Sequence, residues 1–390
     1  MINSDGHAYG IHFDLSNNEL IGTIPDDLGS IPLNGHSYFL DLSNNHLSGP
    51  IPVTLGANNT GDDVYTDLSF NAVSSQIPAQ LGARQSGGDL PIDFSNNLLT
   101  GSLPPEIGNV FFEPYHRCEL DLSHNQISGN IPANLGSLGD KGASVQLVIN
   151  LSSNSLSGEI PSGLAGTNEP ELNTISFNFG SNSLIGSIPS DFYAMTGMVA
   201  LELGSNRLSG QLPIGIGALV NLTTLDLRGN AFSGEIPVSL NQLANLMDQG
   251  LDLGYNALVA SDAGLRDFLD SKDPDWAATQ TISPTDVTAT SLDNATILVS
   301  WLPVAYTADS GYFKVMLSET AGGPYTLAGQ TAGKADTSLS VSGLTPGTRY
   351  YFVVQTVTNA HPSNANIVES ELSAEATAIA WVQIHVQISG

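Results

Sequence analysis

The sequence predicts a solenoid of stacked repeats with parallel strands on its concave side, followed by a small all-β sandwich. Ten copies of one phrase predict the solenoid: two apolar residues flank a polar residue, and an asparagine stands three positions after the second apolar one. Successive asparagines are 24 to 29 residues apart, and a period in the twenties is typical of stacked repeats. Closely spaced β patterns after residue 284 predict the sandwich. The ten asparagines are Asn18, Asn45, Asn71, Asn97, Asn125, Asn154, Asn182, Asn206, Asn230 and Asn256.

Within each copy, a period of two places apolar residues inside and polar residues outside. In the copy at residues 224–230, Leu225 and Leu227 point inward while Asp226 points outward. Asn230, where the chain turns away, is expected to bond backbone groups of neighbouring turns. A Gly-x-Ile/Leu-Pro step then makes a second corner, because Gly accepts unusual φ values and Pro ends strand pairing. Ser75 replaces this glycine in the third copy.

These residues resemble the leucine-rich repeat family, in particular its plant-type subclass with the pattern L-x-L-x-x-N-x-L-x-G-x-I-P-x-x-L-G. The resemblance covers about residues 10 to 260. It implies a curved right-handed solenoid with a parallel sheet on its concave side, a short second sheet at the Gly-x-Ile-Pro steps and 3₁₀ turns on its convex side. The paired cysteines of plant ectodomains are missing, and convex segments at 57–63, 109–117 and 139–143 are enlarged. We therefore interpret residues 1–260 as similar to prokaryotic cell-surface proteins of this architecture.

After residue 260 the phrase ends and a helical pattern begins. Leu265, Phe268 and Leu269 have helical spacing, which predicts a capping helix over the open end of the core. Trp276 is expected to pack on the last repeat. Residues 261–283 are assigned to this helix and to a linker rich in Thr, Ser and Ala.

Residues 284–380 have the strand pattern of an immunoglobulin-like sandwich. Strands are predicted at 295–301 and 311–317, and on both sides of a turn within 338–354. Trp301, and the Leu-x-Pro step at residues 344–346 followed by Tyr350, resemble the core tryptophan and the tyrosine corner of the fibronectin type III family. The resemblance implies a compact all-β domain, which we interpret as a spacer.

The composition excludes several classes of protein. Thirty-eight acidic residues against ten Lys and Arg give a formal net charge of -28, which argues against a nucleic-acid partner. Cys118 is the only cysteine, so we expect no disulfide framework and no cysteine metal site. No run of 18 apolar residues predicts a membrane span. The first residues lack a signal-peptide pattern, so we expect either that no signal peptide exists or that the chain is a mature form or a fragment; we place the protein outside the cell, secreted or on the cell surface.

An acidic column is predicted on the concave face, at the outward middle position of each strand. Because adjacent strands lie about 4.8 Å apart, its like charges repel unless cations, hydrogen bonds or a basic partner compensate. Two interpretations stay open: a surface for cations or a cationic ligand, or a scaffold in which serines two residues further on bond each carboxylate. We expect no cofactor, with Ca²⁺ left open. The column consists of Asp14, Asp41, Asp67, Asp93, Asp121, Asn150, Asn178, Glu202, Asp226 and Asp252, and its first five members are candidate ligand-binding residues.

Two aromatic residues are expected beside this column. Phe39 and Tyr65 occupy the first outward position of the second and third repeats, so they are predicted to be exposed neighbours on a rigid sheet. Aromatic side chains in such a place are candidate contact residues, although two can occur by chance.

An enzymatic role has no support in the sequence. The eight histidines are scattered, and no catalytic or phosphate-binding motif is present. The acidic column also offers no pair of carboxyl groups in distinct environments that would separate an acid from a base.

The end of the chain has a strand pattern beyond the sandwich. Residues 381–390 include a strictly alternating segment. This segment begins a further domain, is a long last strand, or pairs with the edge of a neighbouring subunit. The weakly capped start of the solenoid favours such head-to-tail contacts. The candidate assembly residues are Trp381, Val382, Ile384, Val386 and Ile388.

Together these patterns predict an extracellular binding or adhesion protein without enzymatic activity, which recognises a protein or a cell-surface glycan through the solenoid surface. The alternative is a self-assembling structural subunit of an extracellular filament or sheath, linked head-to-tail through the solenoid start and the C-terminal strand. The ligand cannot be named from sequence, because solenoid surfaces serve many partners.

Overall fold

A computed structural model shows a solenoid of parallel strands joined to an antiparallel sandwich. It describes residues 10–31, 36–56, 60–61, 63–83, 85–86, 88–109, 111–112, 117–135, 146–165 and 174–381. The concave face is a ten-stranded parallel sheet with one strand from each repeat, in chain order, which confirms the predicted solenoid. Its strands are Ile11–Asp14, Tyr38–Asp41, Val64–Asp67, Leu90–Asp93, Arg117–Asp121, Gln146–Asn150, Thr174–Asn178, Met198–Glu202, Thr224–Asp226 and Leu251–Asp252.

One continuous apolar core runs through the solenoid. The inward residues of the strands are buried, as predicted: Leu225 and Leu227 are both 0% exposed. Each repeat buries its apolar side chains mainly against its neighbours, so the core grows by stacking. It extends from Ile24 in the first repeat to Trp276 after the last one.

The repeated asparagines form a ladder inside the turns that follow the strands. Asn45 shows the pattern: its Nδ2 donates to the carbonyls of Leu42 and Ser43, both at 3.0 Å, and of Leu15 in the preceding repeat at 2.9 Å. Its Oδ1 accepts the N–H of Leu20 at 3.0 Å. The same set of bonds recurs at Asn256. This asparagine ladder satisfies turn backbone that the bend would otherwise leave unpaired.

A second set of short parallel strands lies at the Gly-x-Ile/Leu-Pro steps. Their glycines have positive φ, for example 78° at Gly49 and 89° at Gly210, and Ser75 adopts φ 73° in the same place. The strands form a four-stranded and a six-stranded sheet. They are Ile21–Thr23, His46–Pro50, Ala72–Ser75 and Leu98–Leu99, then Ser128–Gly129, Ser155–Glu159, Ser183–Gly186, Arg207–Gly210, Ala231–Glu235 and Ala257–Val259.

The convex side carries 3₁₀ turns, as the family resemblance implied. They are Asp26–Ser30, Val53–Gly56, Ala79–Ala83, Pro105–Asn109, Ser162–Ala165, Ser190–Ala194, Ile214–Ala218 and Val238–Gln242. The convex segments of the second, third and fourth repeats add a third parallel sheet of two-residue strands, Thr60–Gly61, Gln85–Ser86 and Phe111–Phe112, whereas the enlarged segment 139–143 lies outside the described residues. The sequence did not predict this sheet, because pairs of residues are too short to show a period.

The end of the solenoid is closed by a helix and one further turn. The helix Ala263–Lys272 begins at Asp262, whose side chain accepts the N–H of Leu265 at 2.8 Å, and buries Leu265 and Leu269 as predicted. The turn Trp276–Thr279 follows. Gln280 then takes the place of a ladder asparagine: its Oε1 accepts the N–H of Leu258 at 2.9 Å and its Nε2 donates to Leu253 O at 2.9 Å. The ladder of side-chain amides therefore continues to this glutamine, inside the segment assigned to the linker.

The sandwich has two antiparallel sheets around a core that includes Trp301 and Tyr350. The tyrosine corner is present, because Tyr350 Oη accepts the N–H of Thr345 at 3.1 Å. One sheet holds Thr285–Ser291, Ile297–Leu302 and Ser338–Val341, and the other holds Gly311–Ser318, Thr326–Gln330, Arg349–Thr358, Val368–Glu369 and Ala376–Ile379.

Two further findings concern a membrane-spanning helix and the candidate assembly residues at the end of the chain. Among the described residues, no helix is long and apolar enough to cross a membrane. Trp381 is 58% exposed, whereas the other candidate assembly residues, Val382, Ile384, Val386 and Ile388, lie outside the described residues.

Candidate functional site

The parallel sheet brings the acidic column together in register. In the strand register, Asp14 lies beside Asp41 and Asp41 beside Asp67. The column continues in the same way through Asp93 and Asp121 to the last strand. Because each repeat adds one strand, side chains at one phrase position repeat at about 4.8 Å along the sheet. The concave face therefore carries five consecutive aspartates in its first half.

Hydrogen bonds within each repeat hold these carboxylates. The backbone N–H two residues further on donates to one carboxylate oxygen in each of the first five repeats, at 2.8 to 3.2 Å. In the second repeat the hydroxyl of Ser43 also donates to Asp41 Oδ1 at 2.7 Å. One oxygen of each carboxylate is thus used to close its own turn, which supports the scaffold interpretation of the column.

Compensation of the charge differs along the column. Arg228 lies between Asp226, at 3.4 Å from Nε to Oδ2, and Asp252, at 3.2 Å from Nη1 to Oδ2. Asn150 donates to Asp121 Oδ2 at 2.9 Å, and Asn178 to Glu202 Oε2 at 3.1 Å. The later repeats therefore pair their carboxylates with basic or amide groups. No cluster of three or more metal-ligating side chains is found in the part of the chain that the structure describes.

The carboxyl groups do differ in environment, contrary to the expectation from sequence. Burial raises the pKa of Asp93 to about 6 and that of Asp226 to about 6. The Ser16 hydroxyl, which donates to Asp14, lowers the pKa of that carboxyl instead. Asp14 and Asp93 are three strands apart, or about 14 Å at the usual strand spacing. They are too far apart to act together as an acid and a base on one bond.

Beside the column, three aromatic side chains stack across the first three strands. The rings of His12 and Phe39 are 4.2 Å apart between centroids with an angle of 2°, and those of Phe39 and Tyr65 are 4.3 Å apart with an angle of 5°. His12 is exposed, and Phe39 and Tyr65 are half-buried. Tyr65 Oη donates to Asp67 Oδ2 at 3.0 Å, which anchors the stack to the acidic column.

This aromatic stack of His12, Phe39 and Tyr65 extends the predicted pair by one ring. His12 holds the same outward strand position in the first repeat, and the register of the first two strands places its ring on that of Phe39. Both faces of Phe39 are covered, so the middle of the stack presents ring edges, and the covered faces cannot stack on a ligand.

A second regular feature was also missed. The third residue after the ladder asparagine bears a hydroxyl in seven of the ten repeats. None of these side chains is buried. We call them the hydroxyl row: Ser48, Ser74, Thr100, Ser128, Ser157, Ser209 and Ser233. The signal was available in the sequence, as the same periodicity that revealed the asparagines.

Comparison with family models agrees with this architecture. The Leucine Rich Repeat model matches residues 11–31, 38–58, 92–110, 118–138, 147–167 and 221–243. The Fibronectin type III domain model matches residues 283–369. The chain is built of leucine-rich repeats followed by a fibronectin type III domain. None of the curated proteins matches it.

Solved leucine-rich-repeat structures are similar to the solenoid. The plant peptide hormone receptor RGFR1 in complex with RGF2 is 32% identical, with a TM-score of 0.49, and covers 66% of this chain. This chain spans only 41% of that receptor's length. A plant ice-binding protein is 25% identical with a TM-score of 0.50, and the match covers 67% of this chain and 79% of that protein.

Proposed function

We propose that this leucine-rich-repeat protein is an extracellular, non-enzymatic protein-binding protein whose contact surface is the concave face of its first repeats. Leucine-rich repeats and fibronectin type III domains are typically binding modules, which supports a protein-binding role. The observation that carries the proposal is the aromatic stack, since large amphipathic rings on a rigid surface are the side chains that dominate protein interfaces.

The geometry of the stack favours a protein over a glycan. Phe39 is held between two rings at 4.2 and 4.3 Å, so binding costs it little side-chain freedom. A sugar ring stacks best on an open aromatic face, and Phe39 has none. Apolar side chains of a protein can instead lie across the ring edges, and cationic side chains can pair with the neighbouring carboxylates of Asp14 and Asp41.

Replacing Phe39 and Tyr65 together by Ala tests the proposal. Proteins from the surface fraction of the source cells are cross-linked to the immobilised chain and quantified by mass spectrometry. We expect the captured amount of the specific partner to fall by about tenfold, as it does when central aromatic residues of interfaces are removed. The matched control is Ile214→Ala, which removes a side chain that is 79% exposed on a convex turn. Equal capture by both variants would exclude the concave aromatic stack as the contact surface.

Ice binding is a second candidate. It is supported by the similarity to the plant ice-binding protein and by the hydroxyl row, because evenly repeated hydroxyls can order a layer of water. Ice-recrystallisation inhibition by the purified chain is the test. Replacing Ser128 and Ser157 by Tyr should abolish any activity, while Phe39→Ala should leave it unchanged. Recrystallisation at the rate of a buffer control would eliminate this function.

Self-assembly is the structural alternative. The first repeat leaves Leu15, Leu20 and Ile21 exposed by 44%, 38% and 81%. They lie at an apolar end that a neighbouring molecule can cover. Sedimentation velocity over a range of concentrations should then show growing oligomers, and removal of residues 382–390 should stop this growth. A single monomeric species at all concentrations would rule the filament out.

A further inference from the structure

The sandwich lies against the last three repeats mainly through one loop. This loop joins the strands Arg349–Thr358 and Val368–Glu369 and contains two asparagines separated by one residue. Asn364 Nδ2 donates to Asn230 O at 2.9 Å and to Tyr255 O at 2.7 Å. Asn366 Nδ2 donates to Asn206 O at 2.5 Å and to Gly229 O at 3.3 Å. Each amide therefore bridges two neighbouring repeats at the edge of the asparagine ladder.

The loop is itself organised to make these contacts. Asn364 is 2% exposed, and its Oδ1 accepts the backbone N–H of Asn366 at 2.9 Å and the side-chain Nδ2 of Asn366 at 2.8 Å. The backbones of His361 and Asn364 bond each other at 2.8 and 3.0 Å. These internal bonds fix both amides before docking, so little conformational entropy is lost when they bind.

Aromatic and hydroxyl contacts surround the two amides. The ring of Tyr255, in the last repeat, lies 5.4 Å from that of His361 and 6.4 Å from that of Tyr306. Ser233 Oγ donates to Glu371 Oε1 at 2.8 Å on the other side of the loop. The contact is thus a packed interface and not a pair of isolated hydrogen bonds.

The solenoid side of the interface carries its own sequence signature. The residue before every ladder asparagine is left-handed, with φ between 53° and 61°. Nine of these ten residues have a side chain, including Ser153, Ser181 and Ser205, so the turn does not require glycine. The exception is Gly229. A Cβ added there would meet Ser363 O of the loop at 2.8 Å, which is too close.

We propose that Gly229 and the Asn364-Ala365-Asn366 segment are a matched docking pair that fixes the fibronectin type III domain on the last three repeats. The domain is then a fixed part of the solenoid and not a mobile spacer. The two domains behave as one rigid, cooperative unit. The turn edge of the last three repeats is occupied by the loop, so an external partner can reach this edge only in the first seven repeats.

Gly229→Ser is the decisive variant, because serine already holds the same backbone conformation in three other repeats. Asn364→Ala combined with Asn366→Ala attacks the other side of the interface. The controls are Ser181→Ala, at the equivalent position away from the loop, and Asn359→Ala, whose amide bonds Ser310 Oγ at 3.1 Å within the sandwich.

Small-angle scattering, calorimetry and limited proteolysis of the full chain measure the outcome. Both docking variants should increase the maximum dimension, split one thermal transition into two, and speed cleavage at residues 281–284. We expect cleavage to be roughly tenfold faster, which corresponds to about 1.4 kcal/mol of lost docking. The controls should match the wild type. Wild-type scattering and a single transition in either docking variant would overturn the proposal.

Discussion

The two ends of the solenoid treat the same repeat phrase very differently. Asn230, near the closed end, is 0% exposed and bonds two repeats, whereas Asn18 in the first repeat is exposed and its amide donates to Leu15 O and Ser16 O within its own turn. A helix and the turn that contains Trp276 close the far end, while Ile21 at the near end is 81% exposed. In a stacked array, the same residue type thus contributes differently to stability depending on the repeats on either side of it.

The largest expected difference in stability between the two ends comes from removing one ladder side chain near the closed end. Asn230→Ala removes bonds to the carbonyls of Leu203, Leu227 and Arg228 and strands the N–H of Leu208 inside the protein. We expect the free energy of unfolding to fall by about 3 kcal/mol, from unpaired polar groups and the cavity together. Denaturant titration measures it, and Asn18→Ala is the control, with an expected loss below about 1 kcal/mol. Equal losses would show that the ends do not differ.

A smaller loss is expected at the closing glutamine. Gln280 is 2% exposed and bonds the N–H of Leu258 and two carbonyls. Gln280→Ala should lower the unfolding free energy by about 2 kcal/mol, because the buried N–H of Leu258 loses the side-chain oxygen that accepts it. Gln242, on an exposed convex turn, is the matched control, and its alanine variant should stay within about 0.5 kcal/mol of the wild type. A neutral Gln280→Ala would mean that the helix alone closes the solenoid.

Some of this architecture could be predicted from the sequence, and the reasons are physical. The phrase keeps the asparagine, the inward apolar residues and the outward polar residue at fixed positions relative to one another, so their register follows directly from stacking. Gln280 follows Asn256 by 24 residues, within the range of the repeat, but it was missed because the apolar phrase does not precede it and a glutamine stands in place of the asparagine. The docked loop was missed because Asn366 and Asn206 are 160 residues apart and share no periodic signal.

In the acidic column, the stability contributed by an inner carboxyl group and by an outer one should change with pH in opposite directions. Burial raises the pKa of Asp93 to about 6, so the native state loses stability as pH rises from about 4 to 6, and the penalty is complete above that. Asp93→Asn should therefore stabilise the protein at pH 7 by about 1 kcal/mol, after allowance for solvent screening. The side-chain oxygen still accepts the Ser95 N–H, as Asn150 accepts that of Ser152 two repeats later.

The outer carboxyl should behave in the opposite way. The pKa of Asp14 is lowered by the hydroxyl of Ser16, so its ionised form contributes stability that is lost as pH falls through the lowered pKa. Asp14→Asn should not stabilise the protein at pH 7. Thermal melts of both variants at pH 4 and pH 7 test the pair. A gain at pH 7 in both, or in neither, would contradict the assigned environments.

The smallest effect concerns the corner where an early repeat departs from the others. Ser75 has φ 73° at a step where Gly210, in a later repeat, has φ 89°. Left-handed backbone strains a residue that has a Cβ, by about 1 kcal/mol, although glycine costs more entropy on folding. Ser75→Gly should therefore stabilise the protein by only about 0.5 kcal/mol. Gly210→Ser is the reciprocal change, since no atom lies within 4 Å of the added Cβ, and should destabilise by a similar amount. Equal and opposite shifts would assign the difference to backbone strain alone, whereas a loss in both would show that Ser75 makes a stabilising contact of its own.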